Sequence, residues 1–155
     1  LLKKNQEIDS KQIYELKFLR NCILEMLRLN NTVITTFRTL EKNFSFNKKY
    51  NFKKGTQFLI LNNPVLRDKK KFKDPNKFIP SRWTKKLEES YYSISFNQGP
   101  QKCPAKELVI FLIQSFIYNF IKILDININD IKTKKINVNN IEQVINPFKI
   151  YFKLN

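Results

Sequence analysis

Cys103 stands in the segment Phe96-Asn97-Gln98-Gly99-Pro100-Gln101-Lys102-Cys103-Pro104-Ala105-Lys106-Glu107-Leu108. A Gly-Pro turn leads into a lone thiol, and an apolar run of helical character starts directly after it. That arrangement suits a thiolate held against a metal, with its backbone pinned and its sulfur facing away from the core. The chain has no His, so the usual nitrogen ligand is not on offer.

A second constellation is Glu25 and Arg28, three apart on a predicted helix and therefore neighbours on one face. Exposed, such a pair contributes a few tenths of a kcal/mol at most. Buried, it needs a further partner. Arg82, in Phe78-Ile79-Pro80-Ser81-Arg82-Trp83, can supply one, because a guanidinium bridges a carboxylate bidentately and Lys does not. Of the 29 basic residues only Arg20, Arg28, Arg38, Arg67 and Arg82 are Arg. In a chain that uses Lys almost everywhere, each Arg needs a reason.

The elements that must position these groups follow from periodicity. Apolar Ile13, Leu16, Leu19, Ile23 and Leu27 predict an amphipathic helix over 12–29, ended by Asn30-Asn31-Thr32. Residues 33–37 read as a strand. Phe44 to Phe52 reads as a strand pair around Asn47-Lys48-Lys49, and Thr56 to Leu61 as a further strand after the Lys54-Gly55 turn. Residues 62–83, with Pro64, Pro75 and Pro80, read as an ordered meander that extends to about 95. The Cys loop occupies 96–104. A second helix is expected over 104–123, with Pro104 in its first turn. It is apolar on nearly every side from Val109 to Ile121, the pattern of a buried helix, and too short for a membrane span of about 20 mostly apolar residues. Ile126, Ile128, Val138, Phe148, Ile150 and Phe152 suggest terminal hairpins over 125–155. The fold class is mainly α with small β-sheets, an α+β arrangement in one domain.

Composition narrows the setting. At 155 residues, 42% hydrophobic, the chain can build a core. Two cysteines, Cys22 and Cys103, make no disulfide framework and favour an intracellular, reducing compartment. No apolar leader is visible, and the chain begins at Leu1. The net charge of +16 invites a nucleic-acid reading. The Lys are scattered among Asn and Ile with no basic helix or aromatic platform, so nucleic acid is not expected as the partner. A basic face towards an acidic partner or an anionic membrane fits better.

In order, the chain carries Glu25-x-x-Arg28, Lys54-Gly55-Thr56, Arg67-Asp68, Phe72-x-Asp74-Pro75-x-x-Phe78-x-Pro80-x-Arg82-Trp83 and Phe96-x-x-Gly99-x-x-x-Cys103-Pro104. Leu16-Lys17-Phe18-Leu19 precedes them. This series resembles the C-terminal third of a cytochrome P450, over about residues 16 to 123. The resemblance implies that Cys103 is the axial thiolate of haem iron, pushing electron density onto the metal. A helix N-terminus after the sulfur favours the anion. Cys22, amid Leu19, Ile23 and Met26, reads instead as a small buried hydrophobe. Gly99 would let the loop backbone approach the porphyrin, and Phe96 would shield the sulfur. Glu25, Arg28 and Arg82 would form the family's buried structural triad. Arg38 is a candidate for a haem propionate contact and Lys102 a weaker one; no other catalytic residue is expected in this stretch.

The sequence departs from the family pattern in places. Ala105 stands where Gly is usual, and Gln101 where an Arg or His often reaches a propionate. Asn30-Asn31 replaces a Pro-containing pair, and Ser81 a common Glu. The distal helix with its acid–alcohol pair would lie before residue 1. The resemblance therefore implies part of a haem-thiolate monooxygenase oxidising an apolar substrate with electrons from a reductase or other donor. Its setting would be cytoplasmic or the cytoplasmic side of a membrane, reached through a segment preceding Leu1. Two alternatives stand beside it: a lipid-hydroperoxide-rearranging haem-thiolate enzyme that needs no reductase, and an inactive truncated remnant.

Overall fold

A computed structural model describes residues 8–127 and 151–154. Its architecture is α+β: helices pack around a small core, with three two-stranded antiparallel sheets at the periphery.

The expected first helix is two. Helix α1 spans Ser10–Tyr14 and α2 spans Lys17–Leu29. Asp9 opens α1 with a capping box: its carboxylate accepts from the Gln12 N–H at 2.8 Å, and the Gln12 side chain accepts from the Asp9 N–H at 3.0 Å. At the break the Ile13 carbonyl accepts from the Leu16 N–H at 3.2 Å and the Leu16 carbonyl from the Arg20 N–H at 2.9 Å. Gln114 adds a second donor to each, its Nε2 reaching the Ile13 and Leu16 carbonyls at 3.1 and 3.2 Å. Periodicity carries no trace of such a long-range partner.

Strand β1 (Thr35–Thr39) pairs antiparallel with β4 (Gln57–Leu61), Thr35 opposite Leu61 and Thr39 opposite Gln57. Between them β2 (Phe44–Phe46) and β3 (Tyr50–Phe52) form a hairpin. Asn47 and Lys48 at its turn take φ of 51° and 56°, the left-handed geometry that tight hairpin turns demand. The 62–83 meander holds a short helix α3 (Asn62–Leu66) and a 3₁₀ turn at Pro80–Arg82. Helix α4 (Lys85–Glu88) follows, capped by Thr84.

The second long helix, α5 (Lys106–Ile123), begins two residues past Pro104. The expectation of burial on all sides does not hold. Lys106, Ile110, Gln114 and Tyr118, four apart, form the buried stripe, while Leu108, Leu112, Phe116 and Ile121 are exposed. Among the described residues α1 and α2 pack on only one side of α5, so its remaining apolar positions face outward. Strands β5 (Leu124–Asn127) and β6 (Tyr151–Leu154) pair antiparallel. The remainder of the expected terminal hairpins, including Ile128, Val138, Phe148 and Ile150, lies outside the described residues.

The core is Ile23 and Leu24 of α2, Trp83 and Ile110, flanked by Leu19, Leu27, Leu87, Phe96 and Ile113. Helix α2 thus supplies the apolar stripe that joins the meander to α5.

Candidate functional site

Two charged clusters project from α2, and the Cys103 loop lies beside one of them. The first centres on Glu25, whose side chain is fully buried. Its Oε2 accepts from Arg28 Nε and Trp83 Nε1, both at 2.9 Å. Its Oε1 accepts from Arg28 Nη2 at 2.8 Å, the Ile79 N–H at 3.0 Å and Arg82 Nε at 3.0 Å. Burial pushes the Glu25 carboxyl up, but the bonds from Arg28, Ile79 and Trp83 outweigh it and hold the group below the ordinary carboxylate value.

Arg28 is equally buried and spends its remaining donors on the meander. Nη1 donates to the Leu66 and Pro75 carbonyls at 2.8 and 2.7 Å, and Nη2 to that of Lys77 at 3.3 Å. Arg82 donates to the Lys73 and Asp74 carbonyls. The buried ring of Phe72 lies under both guanidiniums, 4.9 Å from Arg28 Cζ and 5.9 Å from Arg82 Cζ. The meander has little periodic structure of its own, and these donors hold its carbonyls in place.

The structure brings Glu25, Arg28 and Arg82 together. Sequence reasoning missed Trp83 and the Ile79 N–H as donors to the carboxylate, and Phe72 as the platform beneath. The one Trp of the chain, next to Arg82, was the available signal. Arg67 was also left without a role; it donates to the Leu29 carbonyl at 2.7 Å and to Asn76 Oδ1 at 2.6 Å, fastening the end of α2.

The Cys loop is built by main-chain bonds. The Cys103 N–H donates to the Phe96 carbonyl at 2.8 Å, and the Lys102 N–H to that of Gly99 at 3.1 Å. Gly99 takes φ of 72° and Asn97 57°, so the loop needs the left-handed region twice. Cys103 is partly exposed. Phe96 packs against the core cluster rather than standing free. Lys102 is exposed. Arg38 is half-buried on β1 and donates from Nη1 to the Phe37 carbonyl at 2.8 Å. Thr36, two residues earlier and on the same strand face, donates to Asn97 Oδ1 at 3.2 Å and ties that face to the loop. Cys22 is half-buried, not fully buried, and burial pushes its thiol up.

A second cluster was not foreseen. Arg20 of α2 donates to both oxygens of Glu88 and of Glu107. Tyr14 also donates to Glu107, at 2.9 Å. Lys106 Nζ reaches Glu88 Oε1 at 2.6 Å. Burial pushes the Glu88 carboxyl up, while the bonds from Arg20 and Lys106 outweigh it and hold it low. The Arg20 bond is the main cause that lowers Glu107. Among the described residues no group of three or more His, Cys, Asp and Glu could hold a metal ion, and no helix is long and apolar enough to cross a membrane.

A helix bearing a buried Glu-x-x-Arg pair, an Arg returned from a meander, and a Cys loop that opens a second helix define the class: a portion of the heme-domain fold of cytochromes P450. The cytochrome P450DA heme domain superposes with a TM-score of 0.72 at 18% identity, over 86% of this chain and 31% of that one. The retinoic acid-bound cyanobacterial CYP120A1 gives 0.69 at 25% identity, over 81% and 30%. The chain belongs to the cytochrome P450 family, whose model matches residues 1–154. Among its relatives, cytochrome P450 85A2 of Arabidopsis thaliana is 33% identical over 110 residues, 70% of this chain and 23% of that protein. The beta-amyrin 28-monooxygenase of Solanum lycopersicum is 32% identical over 110 residues, 71% and 23%. The C-22 sterol desaturase of Candida albicans is 27% identical over 111 residues, 70% and 22%. The chain spans about a quarter of the length of the curated relatives it matches.

Proposed function

We propose that Cys103 is the axial thiolate of a haem iron, and that the chain forms the proximal part of a monooxygenase oxidising an apolar substrate with electrons from a reductase. The observation that carries the reading is the Cys103 loop itself. The partly exposed Cys103 stands one residue before a turn into α5, its own N–H pinned to the Phe96 carbonyl.

The donor set fits a haem. Among the described residues Cys103 belongs to no group of metal ligands, which suits a metal that brings its other ligands with it. Gly99, at φ of 72°, offers backbone without a side chain for a flat group to approach. The chemistry such a group supplies when bound is oxygen activation, favoured by electron density from a thiolate ligand. This chain's residues orient and shield. Phe96, seated on the core, keeps the loop's inner side dry. Arg38 shares a strand face with Thr36, whose bond to Asn97 puts that face beside the loop and suits Arg38 to a propionate. Lys102, exposed, is the lesser candidate. Glu25, Arg28 and Arg82 act on structure, not on the reacting atoms.

The test is spectroscopic. Haem-loaded protein, reduced under carbon monoxide, is expected to absorb at the thiolate-haem position. Cys103→Ser should abolish that band and Cys22→Ser should leave it. No such band in the parent protein, or its survival in Cys103→Ser, overturns the ligand assignment. Turnover of lipid hydroperoxides without any reductase would replace the monooxygenase reading with a rearranging one.

A further inference from the structure

Glu88 holds both limbs of the Cys103 loop. Its main-chain carbonyl accepts from Gln98 Nε2 at 3.3 Å, five residues before the cysteine. Its carboxylate Oε1 accepts from Lys106 Nζ at 2.6 Å, three residues after it. The side chains of Lys106 and Glu88 are 6% and 17% exposed, so this is not a solvated pair. Arg20 of α2 grips the same carboxylate, bonding both of its oxygens. Gln98 is fixed further by the Ser93 carbonyl at 3.1 Å.

We propose that Glu88 is a positioning residue for the Cys103 thiolate, setting where the sulfur stands by anchoring Gln98 before it and Lys106 after it. The inference rests on reading Cys103 as the haem ligand, and gives that ligand its support. Lys106 is the first residue of α5. An ammonium buried without its carboxylate is costly, so loss of the Glu88 charge drives Lys106 outward and pulls the start of α5 with it. The Lys106 N–H bonds the Cys103 carbonyl at 3.4 Å, which passes the displacement to the loop. Arg20 ties the anchor to α2, the helix that also carries Glu25 and Arg28.

Two readouts on the full chain test this. Without haem, alkylation of Cys103 by iodoacetamide is measured against Cys22 in the same molecule, so that general loosening cancels. Glu88→Gln should raise the Cys103-to-Cys22 rate ratio about tenfold, the factor that matches loss of one charge-assisted hydrogen bond. With haem, the share of the reduced carbon monoxide complex showing the thiolate band should fall in the same variant. Gln98→Ala, which frees the other limb, should move both readouts in the same direction. If Glu88→Gln does not fold, Glu88→Asp, which keeps the charge and shortens the reach to Lys106, decides by the same readouts. An unchanged rate ratio in a folded variant overturns the inference. If the parent protein lacks the thiolate band, the haem reading falls, while the alkylation ratio still judges the hold of Glu88 on the loop.

Discussion

Trp83 Nε1 donates to Glu25 Oε2 across 2.9 Å, and the carboxylate it meets is wholly buried. The indole thus joins α2 to the segment that follows the Pro80–Arg82 turn, while its rings enter the core with Ile23, Leu24 and Ile110. One residue serves the polar cluster and the apolar one, which couples the two energetically. Charge-assisted bonds from Arg28 and Arg82 and a main-chain bond from Ile79 complete the shell, so neither oxygen of Glu25 is left unpaired.

Trp83→Phe keeps most of the apolar volume and removes the donor. Oε2 then retains only Arg28 Nε. Leaving a buried acceptor short of a partner costs about 1–3 kcal/mol. Urea unfolding should show the midpoint fall with the slope little changed; an unchanged midpoint would mean that the indole N–H contributes nothing.

Arg28→Lys keeps the charge and loses the fork. Lys has one nitrogen, where Arg28 spreads bonds over Glu25 and the carbonyls of Leu66, Pro75 and Lys77. The meander loses its anchor and Glu25 loses its bidentate partner, and each buried acceptor left unpaired costs about 1–3 kcal/mol. That is a large share of the stability of a small domain. Circular dichroism should show lost cooperativity on heating, and a parent-like transition would contradict the assignment.

The paired carboxylates set the acid limit. Glu25, Glu88 and Glu107 are each held below the ordinary value of 4.5. A lowered folded-state value contributes stability above the unfolded value and loses it as pH falls through the folded one. Stability should therefore be level from neutral pH down to about 5, then decline below 4.5. Glu25→Gln should be less stable at neutral pH and show a shallower acid decline. An equally steep decline in that variant would place the dominant titration elsewhere.

The parts of the site legible in the sequence were those where residue type was unusual. Arg among so many Lys marked Arg28 and Arg82, and a lone Cys after Gly-Pro marked the loop. Lys106 was not legible, because as a letter it is like every other Lys; only its burial against Glu88 distinguishes it. The α1–α2 break escaped because Ile13 and Leu16 continue the helical period, while the extra donor that bridges their carbonyls is Gln114, a residue 101 positions from Ile13. The apolar α5 could not reveal which stripe is covered, since a helix apolar all round offers every face equally.

Gly99 and Gly55 share one backbone geometry in two settings. Both have positive φ, 72° and 86°. A Cβ at Gly55 would meet nothing within 4 Å, and one at Gly99 would lie 3.6 Å from the Tyr91 hydroxyl, an ordinary contact. Neither substitution collides with a neighbour, so each should cost mainly the left-handed backbone penalty of about 1–2 kcal/mol. Gly55→Ala and Gly99→Ala should therefore lower thermal stability by similar amounts. Gly55 lies in the turn before β4, where its N–H bonds the Leu40 carbonyl, away from the Cys loop. Gly99 starts the turn that ends at Lys102, beside Cys103. On the proposed reading of Cys103 as a haem ligand, a methyl there also crowds the loop backbone that a flat group would approach. Haem titration monitored by absorbance should thus show weaker uptake for Gly99→Ala alone. Equal uptake by the two variants would remove Gly99 from the binding surface and leave it as a turn residue.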